Sequence, residues 1–479
     1  MTVTGPIAGT PVLSLTPGVN FDRFDLAASG YAVEEFFISG TATSYKPEAP
    51  LKEDGDWQVS PLATAPFMTR IVVVRPIDAR KFNGTAVVEW LNVSLGSDMA
   101  ADWDAEHREI LRSGFAYVGV SAQKVGIDGG PNILPSSMPL KKADPERYGQ
   151  LSHPGDAFAY DIFSHAGLVV RGAGGTKVLS SLVAKRILAT GVSQSAAFLV
   201  SYVNAVDPIA KAYDGYLVHS RFARAAPIDG SSVFGPAPSD MPPAVKLRGD
   251  LRVPLMTVIT ETDLVGIGGR GGFFSARQPD NHRLRIWEIA GTAHSDTYQL
   301  NVAHIDSGST PVTQLAAAYM ATNPVLGPQP KPLNAAPQHH YVVMAALWNL
   351  DRWVREGEAP PEAPRLKALA GDKPGAPPQL VLDAVGNLQG GIRTPWVDVA
   401  TARLSGLGPG DPLGAALFGV TEPFDQEMLD KLYPSGRAEY LKKFDKSLES
   451  AIEAGFILPA DASEIRALAA LMYHYGNSH

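Results

Sequence analysis

The sequence predicts an α/β fold with a mostly parallel central sheet and helices on both faces. Strand-like apolar runs alternate with helical runs from about residue 70 to residue 357. The strand runs are continuously apolar, as expected for parallel strands buried on both faces. In addition, 45% of the 479 residues are hydrophobic and 19% are charged, which suits a large globular core. The alternation places the chain in the α/β class.

The N-terminal part is predicted to form a β ribbon at the edge of this sheet. The run YAVEEFFISGTATSYK at 31–46 has strand composition, and the Pro- and acid-containing stretch 47–56 is typical of a loop. The runs RIVVVRP, TAVVEWLN, DWDAEHREILRSG and FAYVGVSAQ follow. They are predicted to be a strand, a strand, a helix and a strand, and this order is expected to form the beginning of the parallel sheet.

The middle of the chain continues this alternation. Strands are predicted at 186–190, 215–219, 253–260 and 284–290, and helices at 157–171, 194–205 and 341–357. Proline-rich stretches predict lid insertions at about 222–250 and 296–337. His339 and His340 precede the last of these helices and are expected at the surface, with a place in the lining of a pocket as the alternative. The run GIGGRGG lacks the strand-to-helix context of a dinucleotide site and is interpreted as a loop.

A change of composition after residue 357 predicts a C-terminal extension. The connection EAPPEAPRLKALAGDKPGAPPQ is rich in Pro and Gly. We therefore predict a core over 1–357, including the β ribbon and the insertions, and an extension over 358–479 that packs on it.

Three features of the extension suggest how it is built. A helix is predicted from the i+4 apolar stripe Tyr440, Phe444, Leu448 and Ile452. Another is predicted to begin with a capping box of Asp461 and Glu464. Arg393 is expected to anchor the extension through an ion pair, and a contact with a substrate carboxylate is the alternative.

Charge and residue usage exclude several classes of function. The net charge is -8 and there is no Lys/Arg run, so a nucleic-acid partner is not expected. No apolar run reaches about 18 residues, so no membrane span is expected. The absence of cysteine excludes disulfides and thiolate chemistry, and no paired His/carboxylate spacing suggests a metal. We expect a soluble protein that needs no cofactor; its oligomeric state is open.

The compartment is open as well. The first residues lack a basic segment followed by an apolar stretch, so no secretory signal is visible. A cytoplasmic protein and a processed periplasmic or secreted protein both fit the sequence.

The segment RILATGVSQSAAFLVSYVNAV carries the candidate nucleophile, Ser193. The G-x-S-x-S motif follows an apolar strand and precedes an Ala-containing helix, which is the context of a sharp strand-to-helix turn that exposes a serine. Gly191 and Ser195 supply the small side chains that this turn requires. The alternative is a structural N-cap serine.

A serine hydroxyl needs a base, and His294 in GTAHSD is the candidate because it follows a late strand of the sheet. A carboxylate should orient the histidine. TETDL, at the end of the preceding strand, offers Asp263, which we favour three positions past the strand, and Glu261 as the alternative. The chain order Ser, acid, His is that of a hydrolase triad on an α/β sheet.

The oxyanion of such a reaction needs two backbone N–H donors. One is expected from Gln194, the residue after the nucleophile. The other is expected just beyond the strand TAVVEWLN, at Asn92 or Val93, although an ordinary strand exit is an equal alternative.

The chain resembles a family of bacterial α/β-hydrolase-domain proteins that includes esterases. The blocks VVEWLNVS, HPGDAFAYDIFSHAG, GVSQSAAF, TETDL, WEIAGTAHSD, RWVREGEAPP and GGIRTPWVDV carry the resemblance over nearly the full length. It implies an α/β-hydrolase fold and a triad of Ser193, His294 and an acid in TETDL. The expected function is hydrolysis of small-molecule carboxylic esters through an acyl-enzyme. An acyltransferase or lyase on the same fold, and a non-catalytic binding module, are the alternatives.

Overall fold

A computed structural model describes residues 1–9, 11, 24–132, 137–235, 238, 241–267, 271–322, 327–329, 331–373, 375–408 and 413–473. The main sheet has nine strands in the order β1-β2-β3-β5-β4-β6-β7-β8-β9. Their bounds are β1 Thr2–Thr4, β2 Tyr31–Pro47, β3 Val59–Pro76, β4 Thr85–Trp90, β5 Ala116–Val120, β6 Arg186–Val192, β7 Gly215–His219, β8 Leu255–Ile259 and β9 Leu284–Glu288.

The first three strands are antiparallel to their neighbours, and all pairs from β5 to β9 are parallel. The predicted N-terminal ribbon is therefore present as β2 with β3. The expectation that RIVVVRP opens the parallel part is wrong, because this run ends β3 and pairs antiparallel with both β2 and β5. The short connection 48–58 permits an antiparallel return, whereas a parallel partner needs a longer crossover.

The α-helices of the described residues lie between and after these strands. They are α1 Ala101–Arg112, α2 Lys124–Asp128, α3 Leu140–Ala143, α4 Pro145–Tyr148, α5 Ala159–Val170, α6 Gln194–Ser201, α7 Asp207–Ala210, α8 Glu261–Val265, α9 Val312–Tyr319, α10 Gln338–Glu356, α11 Pro395–Asp398, α12 Leu413–Phe418, α13 Gln426–Leu432, α14 Arg437–Glu453 and α15 Ala462–Met472. None of the helices in the described ranges has both the length and the apolar character that crossing a bilayer requires.

Adjacent residues of β4 show that helices cover both faces of the sheet, because successive side chains of a strand point in opposite directions. On one face, the Glu89 carboxylate accepts the N–H of Asp102 at 2.9 Å and so caps the start of α1. On the other face, Trp90 packs against Phe163 of α5 and Phe198 of α6, with ring centroids 4.7 and 5.1 Å away. The core is therefore a three-layer α/β/α arrangement.

The C-terminal part adds to the last strand of the sheet. Ile392 pairs with Ile289 in a parallel bridge beside β9. Two small hairpins follow the core: β10 Ala368–Leu369 with β11 Gln379–Leu380, and β12 Ala402–Ser405 with β13 Val420–Pro423. Arg393 forms ion pairs with Asp383 and Asp398, both within this part of the chain. A domain boundary at 357 stays a prediction.

The predicted capping box at the start of α15 is wrong. Asp461 makes no side-chain hydrogen bond to the helix N-terminus. Its carboxylate pairs instead with Arg112, and Glu464 pairs with Arg108, so both acids bind arginines of α1. The two acids bind residues of α1 instead of the N-terminus of α15, and spacing along the chain cannot reveal such partners.

Candidate active site

Ser193 lies between β6 and α6 with a strained backbone, φ 61° and ψ -115°. A non-glycine residue adopts a positive φ only where its surroundings enforce it. Its N–H donates to the carbonyl of His219 at 3.0 Å, which fixes the turn against β7. A Cβ atom on Gly191 would come within 2.9 Å of the Leu199 side chain, so strand and helix approach too closely for a larger residue. The turn thus holds the partly exposed hydroxyl at the carboxyl edge of the parallel strands.

His294 lies next to this hydroxyl. Its Nε2 is 2.8 Å from the Ser193 Oγ, and its Nδ1 is 2.5 Å from Oδ1 of Asp263. Since a carboxylate can only accept, Nδ1 carries the proton and Nε2 is free to accept from the serine. The ring of Phe222 stacks on the imidazole at 5.2 Å between centroids and restricts its rotation. The structure thus brings the predicted serine, histidine and aspartate together in one line of hydrogen bonds.

Asp263 is fully buried in the first turn of α8. Its second oxygen accepts the Thr260 N–H at 2.8 Å, while the Thr260 hydroxyl accepts the Asp263 N–H, which forms a capping box. Burial alone would raise the pKa of Asp263, but the interactions with His294 and Thr260 hold it below its ordinary value. The carboxylate is therefore ionised, and it is oriented so that it can stabilise a positive charge on the imidazole of His294.

Glu261, the alternative acid, faces elsewhere. Its Oε1 accepts the N–H of Gly291 at 2.6 Å, and its Oε2 accepts the N–H of Gly406 at 2.8 Å. Burial raises its pKa to about 7, although these two N–H groups lower it. Glu261 thus braces the loop that carries His294 and does not contact the imidazole.

The candidate oxyanion donors lie beside Ser193. Gln194 is the first residue of α6, where a backbone N–H has no acceptor within the helix. The Val93 N–H donates to the Gln194 side chain at 3.4 Å, a long bond that a ligand could replace. Asn92 does not suit this role, because its N–H donates to the Met99 carbonyl at 2.9 Å. Its side-chain amide instead holds the Val192 carbonyl just before the turn.

A buried histidine pair behind the nucleophile was not predicted. The Nε2 atoms of His219 and His339 are 2.9 Å apart, so one donates and the other accepts. The Nδ1–H of His219 donates to Asp102 at 2.7 Å, and Asp296 lies 3.5 Å from the Nδ1 of His339. The only sequence signal was the position of His219 at the end of an apolar strand.

The expected surface position of His339 and His340 is wrong. Both are buried at the start of α10, with 3% and 2% of their surface exposed. His339 is bound by the histidine of β7, and His340 stacks in parallel on Tyr298 at 3.6 Å between centroids. These contacts come from distant elements, so the local sequence does not reveal that the two rings are buried.

A pocket of about 720 Å³, including its open mouth, adjoins Ser193. Its wall comes largely from the described part of 222–250, for which a lid role stays a proposal. Small and apolar side chains dominate the lining: Ala197, Phe222, Ala225, Pro227, Val233 and Met241. Among the described residues no group of three or more His, Asp or Glu side chains is arranged so that it could hold a metal ion. In the run GIGGRGG, 266, 267, 271 and 272 form neither helix nor strand, and 268–270 lie outside the described residues.

Solved structures resemble parts of this chain at low identity. A serine hydrolase from Xanthomonas campestris described as having no lid is 13% identical, and the match covers 47% of this chain and 80% of that chain with a TM-score of 0.27. The esterase Est22 is 12% identical over 50% of this chain and 67% of that chain, with a TM-score of 0.29. An arylesterase is 14% identical over 41% and 63%, with a TM-score of 0.26. The comparison with curated proteins gave no match.

The family comparison covers nearly the whole chain. Residues 3–467 match the model of the family described as alpha/beta hydrolase domain. The match and the nine-stranded sheet with helices on both faces agree with the predicted fold class, which is confirmed. This chain belongs to the alpha/beta hydrolase domain family.

Proposed function

We propose that this protein hydrolyses carboxylic esters through an acyl-enzyme formed on Ser193. One observation carries the proposal: the hydrogen-bonded line from the Ser193 hydroxyl through His294 to the buried Asp263, at the edge of a pocket. A base within hydrogen-bond reach of a hydroxyl, itself oriented by a carboxylate, is the arrangement that activates a serine.

In the first half of the proposed reaction, the Oγ of Ser193 bonds to the ester carbonyl carbon while its proton passes to His294 Nε2. The carbonyl π electrons move onto oxygen, and the N–H groups of Gln194 and Val93 donate to the resulting oxyanion. Asp263 stabilises the imidazolium. When the carbonyl re-forms, the C–O bond to the alcohol breaks and the alcohol takes the proton from His294.

Water completes the cycle. It gives a proton to His294 as its oxygen bonds to the acyl carbon, and the same N–H groups hold the second oxyanion. Collapse breaks the bond to the Oγ of Ser193, which regains its proton from the imidazolium, and the acid leaves. The described residues supply every proton transfer in this cycle.

Labelling with a fluorophosphonate probe tests the nucleophile. We expect the wild type to be labelled, Ser193→Ala to lose the label, and Ser195→Ala, a matched control in the same turn, to keep it. Hydrolysis of p-nitrophenyl butyrate should fall with Ser193→Ala and His294→Ala alike. A folded wild type that neither reacts with the probe nor cleaves the ester would contradict the proposal.

Product analysis separates hydrolysis from related reactions. In heavy-oxygen water, hydrolysis places solvent oxygen in the acid product and none in the alcohol. Transfer to an added alcohol that outcompetes water would indicate an acyltransferase instead, and a product formed without uptake of water would indicate a lyase.

A further inference from the structure

Two arginines, Arg221 and Arg224, follow strand β7 near the pocket that Ser193 adjoins. Arg224 is exposed and lines the pocket that Ser193 adjoins. Arg221 is fully buried three residues earlier, two residues after the end of β7. Within the part of the chain that the structure describes, neither guanidinium forms an ion pair with a carboxylate.

Arg221 is a buried charge that directly precedes Phe222, a residue of the pocket lining. Its guanidinium donates to the carbonyls of Phe222 and Ala223 at 3.1 and 3.2 Å and lies 5.3 Å from the ring centroid of Phe273. Burial without a carboxylate partner among the described residues lowers its pKa to about 9, which still leaves the group charged at neutral pH. Because a buried charge is poorly screened, its field extends to Phe222 and Arg224, which line the pocket and lie within three residues of it along the chain.

Arg224 is the cation that a ligand could reach. Of the described residues that line this pocket, none is acidic, and most are apolar. Among the described lining residues, a negative group on a substrate would therefore find the Arg224 guanidinium and no carboxylate that repels it. A carboxylate suits this site better than a phosphate, because one planar fork matches two carboxylate oxygens and the apolar wall offers few further donors.

We propose that the preferred esters carry a second, ionised carboxylate, and that Arg224 binds this carboxylate while the ester carbonyl lies at Ser193. The proposal rests on the proposed esterase function and specifies its substrate class: monoesters of dicarboxylic acids, or esters whose alcohol bears a carboxylate. The field of Arg221 strengthens the attraction of the substrate carboxylate, and Arg224 determines the specificity for it.

Two substrate pairs that differ only in charge test this proposal. Monomethyl adipate and its neutral amide place the charge on the acyl side, and 4-acetoxybenzoate and 4-acetoxybenzamide place it on the alcohol side. The readout is the ratio of kcat/KM for the anionic and neutral members of each pair. We expect the wild type to favour the anion in at least one pair, and high salt to reduce the preference.

Substitutions assign the preference to one side chain. We expect Arg224→Gln to lower the ratio about tenfold, as for the loss of a charge-assisted hydrogen bond, and Arg224→Lys to retain part of the preference. Arg224→Glu should favour the neutral member. Lys177→Gln, which removes one exposed positive charge outside the pocket, is the matched control and should leave the ratio unchanged.

The outcomes distinguish this proposal from the one on which it rests. Ester cleavage without a preference for the anion, or a preference that survives Arg224→Gln, overturns the carboxylate proposal and leaves the esterase function standing. Failure of the wild type to cleave any of the four esters or p-nitrophenyl butyrate overturns both.

Discussion

The Oε2 atom of Glu261 accepts the backbone N–H of Gly406 at 2.8 Å, which ties the C-terminal part of the chain to the start of α8. The other oxygen of Glu261 holds Gly291, three residues before His294. A Cβ atom on Gly406 would lie 2.2 Å from the Thr292 carbonyl, so only glycine permits this approach. Glu261 therefore links the loop that carries the proposed base to the C-terminal part of the chain, although it does not contact the base itself.

Glu261 should make stability depend on pH. Its pKa is raised from 4.5 to about 7, so the folded protein binds more protons than the unfolded chain between these values. The contribution of protonated Glu261 to the free energy of unfolding is present at acid pH and is lost as the pH rises through about 7. Relative to Glu261→Gln, the wild type should lose on the order of 3 kcal/mol of unfolding free energy across this window.

Urea or thermal unfolding at several pH values measures this difference. Glu427→Gln, which changes an exposed glutamate of α13, is the control and should follow the wild type. Parallel pH dependence of the wild type and Glu261→Gln would show that the prediction is wrong.

The two acids of TETDL should differ sharply in their effect on turnover. Asp263→Asn should lower kcat about 10³-fold or more near neutral pH, because an amide can orient the wrong tautomer of His294 and cannot stabilise its charge. Glu261→Gln should lower kcat less than about tenfold, because Glu261 does not contact the imidazole and the amide oxygen can still accept one of the two backbone N–H groups. Steady-state kinetics with p-nitrophenyl butyrate, alongside circular dichroism to verify folding, measure both; a reversed ranking would assign the acid role to Glu261.

Gly191 should be required for the geometry of the serine turn. Gly191→Ala places a methyl group 2.9 Å from the Leu199 side chain, so either this buried side chain or α6 must shift. We expect a cost of about 1–3 kcal/mol in stability and a loss of activity from a displaced Ser193. Gly249→Ala is the matched control, because nothing lies within 4 Å of its added carbon, and it should change stability by less than about 0.5 kcal/mol. Equal effects of the two variants on Tm and kcat would argue against the close approach.

The ion pair between Asp461 and Arg112 should contribute to the attachment of α15. Asp461 is fully buried, and Asp461→Asn removes the charge that Arg112 faces. We expect the free energy of unfolding to fall by about 2 kcal/mol. The effect should be smaller than for a fully buried pair, because the Arg112 side chain is a quarter exposed and keeps its ion pair with Glu109.

The matched control for this pair is Glu449→Gln, which breaks an exposed pair with Arg466 and should cost less than about 0.5 kcal/mol. Chemical denaturation compares the two variants. If Asp461→Asn is as stable as this control, the buried pair does not stabilise the docked helix.

The acid of the proposed triad illustrates what a sequence leaves open. Glu261 and Asp263 both follow β8 within one helical turn, and each position suits an acid after a strand. Because successive residues of a helix are rotated by about 100°, the side chains of Glu261 and Asp263, two positions apart, point in nearly opposite directions. Which carboxylate meets the imidazole depends on where β9 and its loop are placed, and spacing along the chain does not contain that information.

The sequence by itself determined the alternation of buried strands and amphipathic helices and the small residues around Ser193, since local sterics and hydrophobic periodicity decide these. Only the tertiary structure decided which carboxylate faces His294, the burial of His339, the antiparallel pairing of β3, and the loss of the Asp461 cap to Arg112. Each of these depends on a partner brought from a distant part of the chain, and the free energy of such a contact depends on packing that no local pattern encodes.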